Sequence, residues 1–350
     1  MKTTLWRVDA ENPAADIIGS AARIITEGDL VAFPTETVYG LGANGLDANA
    51  VQKIFLAKGR PADNPLILHI ASSAELFPLV RAVPPQALSL MKHFWPGPLT
   101  LVLPSSGLVP AEVTAGLTTV AVRMPQHPVA LALIKKAGVP IAAPSANRSG
   151  YPSPTTAQHV WDDLAGRISA ILDGGPTGVG LESTVLDLTG EIPMILRPGG
   201  VTYEELVQLL GQVKADPGLT DALIKPKAPG MKYTHYSPQA QVILVKGTAE
   251  SLTRQIAELC KDYHQQGLKV GLLLTKETWR MLGPISAAYQ KNLGSRKQLQ
   301  EIARVIYSEL RACDIAGVDI ILTETYQEKG LGAALMNRLL KAAGHKIIRS

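Results

Sequence analysis

The chain has 350 residues, a length that favours two domains or one unusually large one. Hydrophobic residues make up 46% and charged residues 18%, and the net charge is only +4, which excludes a disordered or fibrous chain and indicates an α/β protein with many tight loops. Cys260 and Cys313 lie far apart in helical patterns and offer neither a disulfide framework nor a metal-binding spacing. No segment resembles a signal peptide or reaches transmembrane length, so we expect a cytoplasmic protein with reduced thiols and no membrane partner.

Residues 1–211 show strand and helix patterns in alternation. Asn12 and Pro13 predict the start of a first helix and Gly28 its end. The apolar run LVAF then predicts a buried strand, and Asp47 is predicted to cap a helix over residues 48–58. The elements predicted after these are the strand PLILHI, two helical segments within residues 73–94, the strands LTLVLP and TTVAVRM, the helix HPVALALIKKAG, the strand VPIAA, the helix TTAQHVWDDLAG, the strands STVLDL and MILRP, and the helix TYEELVQLLG.

The composition changes over residues 212–240, which are rich in Pro, Gly, Lys and Ala and are interpreted as a linker. A second α/β unit is predicted over residues 241–350, with the strands QVILVKG, KVGLLLT and VDIILTE and helices over 249–266, 296–313 and 331–343. This alternation predicts a small, largely parallel sheet. From residue 241 onward there are 16 Lys and Arg against 10 Asp and Glu, a net charge of +6, typical of a lysine-rich surface and compatible with weak nucleic-acid binding.

The segment Gly40–Gly45 has the glycine spacing of a dinucleotide-binding motif. Such a motif needs glycines that open the following helix and an acidic residue at the end of the next strand. Here the helix is predicted to begin only after Asp47, and the strand PLILHI is followed by Ala71 and Ser72 instead of an acid. We therefore interpret these glycines as permitting close backbone approach in a ligand-binding loop, not as part of a nicotinamide site.

Two polar loops are predicted at the ends of apolar strands. One contains PTET at residues 34–37, and the other, residues 143–156, contains PSAN and several hydroxyl side chains. Because ligand sites in open α/β sheets lie at the carboxyl ends of strands, we expect both loops to contribute to one site. Lys58 and Arg60 follow a predicted helix on a short loop and could hold a polyphosphate, although balancing the helix dipole explains Lys58 equally well.

Two further polar residues lie inside apolar strands. His69 is compatible with a satisfied core residue or with a site residue. Arg123 requires an anionic partner, because burying a guanidinium group without one is costly. The segments ESTVLD and LRPGG are further candidates, and no Ser-His-Asp set, phosphate-binding P-loop or metal cluster competes with them.

Residues 1–211 contain the segments FPTETVYGLGAN, AKGRPADNPL, WPGPLTLVL, VAVRMPQHP, APSANRSGYPSPT, LESTVLDL and LRPGG. Taken together, these segments resemble the YrdC-type domain of threonylcarbamoyl-AMP synthases. The resemblance runs from about Gly28 to Gly200 and continues through APGMKYTHYSP and GLGAALMNRLLKAA, as in the longer, two-domain form of that family. It implies an α/β fold with a YrdC-like twisted mixed sheet and helices over residues 1–211, a linker or lid over 212–240, and a smaller Rossmann-like α/β domain over 241–350.

The resemblance also implies an enzyme, a nucleotidyltransferase that makes L-threonylcarbamoyl-adenylate and pyrophosphate from L-threonine, bicarbonate or CO2, and ATP. Mg²⁺ would arrive with ATP, without a metal site of protein ligands. A threonylcarbamoyl transferase machinery would then modify the adenosine next to the anticodon of tRNA, which this chain would contact indirectly or weakly. An RNA-binding module, with steeply salt-dependent binding, and a carbamoyl transferase remain alternatives, although the chain lacks cysteines for the zinc fingers that related carbamoylating enzymes carry.

The family's functional positions carry over to matching residues. By resemblance, catalytic roles fall on Lys58 and Arg60, threonine contacts on Thr37, His69, Arg123, Ala143 and Ser183, ATP contacts on Lys58, Arg60, Asn64, Thr119, Ser145, Asn147, Ser153, Arg197 and Tyr236, and a lid role on Tyr233, His235 and Tyr236.

Overall fold

The computed structural model describes residues 2–219 and 236–350, which divide into two compact units. Among these residues the first unit holds 2–149 and 153–219, and the second holds 150–152 and 236–350. Two predicted lid residues, Tyr233 and His235, lie outside the described residues. Within the described ranges, no helix is long and apolar enough to cross a membrane.

The first unit is built on a mixed sheet. Its strands are β1 Thr4–Arg7, β2 Val31–Phe33, β3 Gly40–Asn44, β4 Ile67–His69, β5 Leu99–Pro104, β6 Thr119–Arg123, β7 Ile141–Ala142, β8 Ala170–Asp173, β9 Thr184–Asp187, β10 Met194–Arg197 and β11 Lys214–Ala215. Its helices are α1 Ala15–Thr26, α2 Ala48–Lys58, α3 Pro85–Phe94, α4 Ala111–Thr114, α5 Pro128–Ala137, α6 Ala157–Leu164 and α7 Tyr203–Leu210, with short 3₁₀ turns at Ser73–Leu79 and Pro217–Leu219. The strands lie in the order β1-β8-β2-β3-β7-β4-β6-β5-β9-β10-β11, which confirms the predicted mixed sheet.

Alternation of side chains across the sheet places hydrophobic cores on its two faces. Leu30 and Ala32 belong to one core, whereas Val31 and Phe33 belong to the other. Helices α2, α3 and α6 contribute buried residues to the first core, and α1 and α5 contribute to the second. The residues predicted as buried strand therefore face helices on both sides, as in α/β folds.

The segment that was interpreted as a glycine-rich ligand loop is instead strand β3, so that interpretation is wrong. It pairs antiparallel with β2 on one side and with β7 on the other. A Cβ atom on Gly42 would lie 2.8 Å from side-chain atoms of both Phe33 and Ile141, and one on Gly45 would lie 2.4 Å from Leu68. The glycines are needed because neighbouring side chains lie across the strand.

Replacing Gly42 by alanine is expected to lower the free energy of unfolding by about 1–3 kcal/mol, because overpacking a buried site forces its neighbours to shift. Urea denaturation measures the change. Gly190 provides a matched control, since it is exposed and an added Cβ would meet no atom nearer than 3.8 Å. Equal effects of Gly42→Ala and Gly190→Ala would contradict this account of the glycine.

Helix α1 begins later than predicted. Ala14, not Asn12, occupies the N-cap position. The physical reason lies in the preceding turn, where the Asp9 carboxylate accepts hydrogen bonds from the backbone N–H groups of Glu11 and Asn12 at 2.9 and 3.0 Å. By contrast, the predicted cap of α2 is confirmed, because the Asp47 carboxylate accepts from two backbone N–H groups of the first turn.

The second unit contains a parallel sheet of five strands, which confirms the parallel sheet predicted from the sequence. Its strands are β12 Gln241–Lys246, β13 Val270–Leu274, β14 Tyr289–Asn292, β15 Ile320–Glu324 and β16 Ile347–Arg349, and its helices are α8 Ala249–Gln265, α9 Lys276–Leu282, α10 Leu299–Ile315 and α11 Leu331–Ala342. The strand order is β14-β13-β15-β12-β16. Strands β14 and β16 and helix α9 had not been predicted.

The second unit also includes the short segment Gly150–Pro152 from the middle of the chain. Ser237 donates its backbone N–H to the Gly150 carbonyl at 2.9 Å, and the Arg311 guanidinium donates to the Pro152 carbonyl at 2.6 Å. The second unit is therefore assembled from two separate stretches of sequence.

In the first unit, Lys214 and Ala215 form strand β11, although the sequence analysis placed them in the linker.

Candidate active site

The two polar loops leave the sheet at the same edge. Because β3 is antiparallel to both β2 and β7, β2 and β7 run in the same direction, and the loops that follow them emerge together. Leu41 donates its backbone N–H to Pro144 and Ala146 donates to Tyr39, both at 2.8 Å. The expectation that these loops meet is confirmed.

Arg123 ends β6 and is only 4% exposed. Its Nη1 donates to the Thr37 hydroxyl at 3.0 Å, and its Nε donates to the Gly97 carbonyl at 3.2 Å. Its Nη2 lies 2.7 Å from Oε1 of Glu36. The anionic partner that the sequence required for Arg123 is therefore Glu36.

Glu36 is a site residue to which the sequence analysis gave no role. Its side chain is 12% exposed and faces Arg123 from the loop after β2. The available signal was the need of a buried arginine for an anion, together with the acid in PTET. Sequence alone could not join them, because the loop and β6 are separated by more than 80 residues.

His69 ends β4 and lies beside Arg123 in the parallel register of β4 and β6. Its Nδ1 is 3.2 Å from the Ile67 carbonyl, and its ring stands edge-on to that of Phe33, with centroids 6.2 Å apart. Burial, together with the positive charge of Arg123, lowers the pKa of His69 to about 3. His69 therefore contributes a neutral imidazole beside the arginine at physiological pH.

Two other residues assigned to the threonine pocket lie on different elements of the first unit. Ala143 follows β7, is almost fully buried, and donates its backbone N–H to the Ile67 carbonyl at 3.0 Å. Ser183 precedes β9, and its hydroxyl lies 2.8 Å from that of Thr100. Arg197 donates Nη2 to the Ser183 hydroxyl at 3.1 Å, so a residue assigned to threonine directly contacts one assigned to ATP.

Lys58 fixes the loop that carries the Ser-x-Asn motif. Its Nζ donates to the backbone carbonyls of Ser145 and Asn147 and lies 3.3 Å from the Asn147 side-chain oxygen. The Ser145 hydroxyl also donates to that oxygen. These contacts, made by a side chain that is 4% exposed, support a role in the loop beyond the capping of α2 that the sequence left open.

The remaining ATP candidates are spread over several elements. Arg60 is buried beside the ring of Phe55, and its Nη2 donates to the backbone carbonyl of the buried Asn64 at 3.2 Å. The Ser153 hydroxyl donates to the Glu182 carboxylate. Thr119 begins β6, four residues before Arg123, and so lies about 13 Å from it along the strand.

Tyr236 lies in the second unit, where it is 4% exposed. Its ring stacks on that of Tyr307 with centroids 5.5 Å apart, and the Arg338 guanidinium lies 5.3 Å from its centroid. The described residues thus place Tyr236 in an aromatic and cationic cluster of that unit. Its proposed contact with ATP stays a prediction.

The first unit combines a mixed α/β sheet with a buried arginine-carboxylate pair and a Ser-x-Asn loop held by lysine. Within the described ranges, no three His, Cys, Asp or Glu side chains are grouped to hold a metal ion. The arrangement suits an enzyme that binds and orients charged small molecules, and it defines the class as a YrdC-type domain.

Residues 23–199 match the Sua5/YciO/YrdC family model, described as "Telomere recombination", and residues 201–344 match "Threonylcarbamoyl-AMP synthase, C-terminal domain".

Similarity extends over the whole chain. The threonylcarbamoyl-AMP synthase of Bacillus subtilis is 51% identical over 100% of both chains, and that of Pyrococcus abyssi is 53% identical over 94% of each. The crystal structure of P. abyssi Sua5 complexed with L-threonine matches with a TM-score of 0.94 at 51% identity, covering 99% of this chain and 100% of that one. The chain belongs to the threonylcarbamoyl-AMP synthase family. The family, fold class and nucleotidyltransferase class predicted from the sequence are confirmed.

Proposed function

We propose that this chain synthesises L-threonylcarbamoyl-adenylate and pyrophosphate from L-threonine, bicarbonate or CO2, and ATP. The observation that carries the proposal is the Arg123 cluster, in which a buried guanidinium group faces the Thr37 hydroxyl and the Glu36 carboxylate of the loop after β2. Such a cluster suits a small zwitterion, and a relative with the same fold was solved with L-threonine bound. The family to which the chain belongs is named for this product.

Threonine would bind through its carboxylate to Arg123, whose fork of donors suits a carboxylate. Neutral His69 and the Thr37 hydroxyl would offer polar contacts without adding charge. Ala143 would contribute a small apolar side chain, and Ser183 would complete the threonine site. These roles use the residues assigned by resemblance.

ATP would bind against the loop that Lys58 holds, with Arg60 and Arg197 near its phosphates. Threonine and bicarbonate form a carbamate, and a carbamate oxygen then bonds to the α-phosphorus of ATP while the bond to the β-phosphate oxygen breaks and pyrophosphate leaves. No covalent bond to the enzyme is required. Catalysis then consists of placing two anions together and stabilising the charge that develops on the leaving group.

Mg²⁺ would enter with ATP as its cofactor. Such ions keep several waters and use one or two carboxylates in addition to phosphate oxygens. The Glu182 carboxylate accepts a hydrogen bond from the hydroxyl of Ser153, one of the proposed ATP contacts, and an acid at this position fits this limited requirement. When bound, Mg²⁺ would neutralise phosphate charge, while the residues named above orient the reactants.

The product would be consumed by a threonylcarbamoyl transferase machinery that modifies the adenosine next to the anticodon of tRNA. The chain would meet tRNA only indirectly or weakly, and the reaction would take place in the cytoplasm, where such tRNA is used. These partners are the ones that the family resemblance implies, and an activated threonylcarbamoyl group, which requires an acceptor, is compatible with them.

Mass spectrometry of mixtures containing the chain, ATP, Mg²⁺, threonine and bicarbonate tests the proposed reaction. We expect threonylcarbamoyl-adenylate and pyrophosphate only when threonine and bicarbonate are both present. Serine lacks one methyl group, worth about 1–3 kcal/mol in a fitted pocket, so its kcat/KM is expected to be about 10- to 200-fold lower. Salt-dependent RNA binding without ATP turnover would favour the RNA-binding alternative, and equal turnover of serine would contradict the threonine pocket.

A further inference from the structure

The proposed reaction requires a proton acceptor that the residues assigned so far do not supply. At neutral pH the amino group of threonine is mostly protonated and has no free electron pair with which to attack the carbon of bicarbonate or CO2. Lys58, Arg60 and Arg123 are cations. His69 is a poor acceptor because burial lowers its pKa to about 3.

Glu36 is a carboxylate in the Arg123 cluster with unused hydrogen-bonding capacity. Both of its oxygens are shielded from solvent, and neither has a hydrogen-bond partner among the residues that the structure describes. Its 2.7 Å contact with Nη2 of Arg123 joins opposite charges, but Nη2 likewise lacks an aligned hydrogen bond. A buried ion pair with unsatisfied atoms on both sides is costly, and such atoms call for an explanation such as a ligand that completes their bonding.

The pair matches the two charges of a free amino acid. In a zwitterion the carboxylate and the ammonium group are attached to the same carbon atom, so their receptors must be adjacent. Arg123 and Glu36 offer adjacent positive and negative groups that are both shielded from solvent. With the substrate carboxylate on Arg123, the ammonium group would lie within hydrogen-bond reach of Glu36.

On the basis of the proposed function, we propose that Glu36 is a catalytic residue that binds the ammonium group of threonine and accepts one of its protons. The ammonium group and the carboxylate become a neutral amine and a carboxylic acid. The amine electron pair then forms the C–N bond to bicarbonate, and its second proton leaves with the departing hydroxide as water, which gives the carbamate anion. Glu36 returns its proton to solvent at the end of the cycle.

Other charged groups near Glu36 contribute to the electrostatic environment in which it would accept the proton. Arg123 contacts it directly, and His127 lies close enough to sense its charge. Burial lowers the pKa of His127, while Glu36 and Glu11 oppose that shift. His69 and Arg123 also interact electrostatically. Glu36 is the acidic side chain in contact with Arg123, so its replacement changes this local charge balance most directly.

Replacing Glu36 by glutamine tests the proposal because it keeps the side-chain shape and removes the proton acceptor. At pH 7.5 we expect kcat/KM for threonine, measured by pyrophosphate release in the full chain, to fall by about 10²- to 10⁴-fold. Between pH 7 and 9, where bicarbonate is the main inorganic carbon species, the rate of Glu36→Gln should rise about tenfold per pH unit as free amine becomes available. The wild-type rate should rise much less. Glu191→Gln, a change at an exposed acid, should leave the rate unchanged.

A second variant, Glu36→Ala, tests the same role if Glu36→Gln does not fold. Glu36→Ala leaves space for a small carboxylate, and formate is expected to restore its rate in a saturable manner. Parallel pH profiles of wild type and Glu36→Gln would show that Glu36 is a purely electrostatic partner of Arg123. Failure of formate to rescue folded Glu36→Ala would show that no carboxylate is needed at this position, and either result would overturn the proposal. Absence of threonylcarbamoyl-adenylate with the wild-type chain would contradict the proposed function itself, which distinguishes the two failures.

Discussion

Replacement of Arg123 by glutamine is expected to weaken threonine binding by about 30- to 5,000-fold, because removing one partner of a buried charged contact costs about 2–5 kcal/mol. Arg123 is 4% exposed, donates to Thr37 and Gly97, and faces the proposed position of the substrate carboxylate. Isothermal titration calorimetry with L-threonine measures the loss directly, without turnover. Undiminished threonine binding by the variant would rule out Arg123 as the carboxylate receptor.

The same substitution also leaves Glu36 buried without its cation, which is expected to lower stability by about 3–5 kcal/mol. A matched double variant, Arg123→Gln with Glu36→Gln, removes both charges and should recover much of this stability. It should not recover threonine binding, since the receptor for the carboxylate is still absent. If the double variant bound threonine normally, the binding loss in the single variant would reflect misfolding and not a lost contact.

Replacement of Arg60 by alanine is expected to lower turnover by about two to three orders of magnitude, the usual effect of losing one preorganised donor to developing charge. The proposed role of Arg60 is to stabilise negative charge on the phosphates as pyrophosphate leaves. Its guanidinium lies beside Phe55 and donates to the Asn64 carbonyl, so it is held on the loop that follows α2. Initial rates of pyrophosphate release at saturating threonine and ATP measure the effect.

Lys53 provides the control for Arg60. It is a cation of helix α2, which precedes the loop of Arg60, and its Nζ forms a surface ion pair with Asp29 at 2.8 Å. Such pairs contribute about 0–1 kcal/mol to stability. Lys53→Ala should therefore change turnover little. A large decrease in melting temperature of Arg60→Ala, with normal turnover per folded molecule, would instead favour a structural role for Arg60 at the end of α2.

Much of the site could be predicted because its loops carry unusual local composition. PTET and PSAN follow apolar strands, and their hydroxyls are too many for turns alone. The pairing of Arg123 with Glu36 could be predicted only in part. Burial of an arginine implies an anion, but which acid supplies it depends on the order of strands in the sheet, which connects residues distant in the sequence.

The misinterpreted glycines of β3 show the limit of local patterns. Glycine spacing alone does not reveal which side chains will lie across a strand, and here Phe33 and Ile141 come from two different neighbouring strands.

Edge strands are a second limit to prediction from local sequence patterns. β14 is mostly exposed and polar, and β1 at the other sheet's edge is also largely exposed, so neither has the apolar alternation by which a strand is detected.

The place of Gly150–Pro152 in the second unit has a consequence for dissecting the protein. A single cut after the first unit yields an incomplete C-terminal fragment, because three of the residues of that unit remain attached to the other piece. In such a fragment Arg311 loses its acceptor at Pro152, and the backbone N–H of Ser237 loses its acceptor at Gly150. The two units therefore cannot be exchanged between relatives by a single crossover in the sequence. A domain exchange would have to transfer residues 150–152 together with the C-terminal segment.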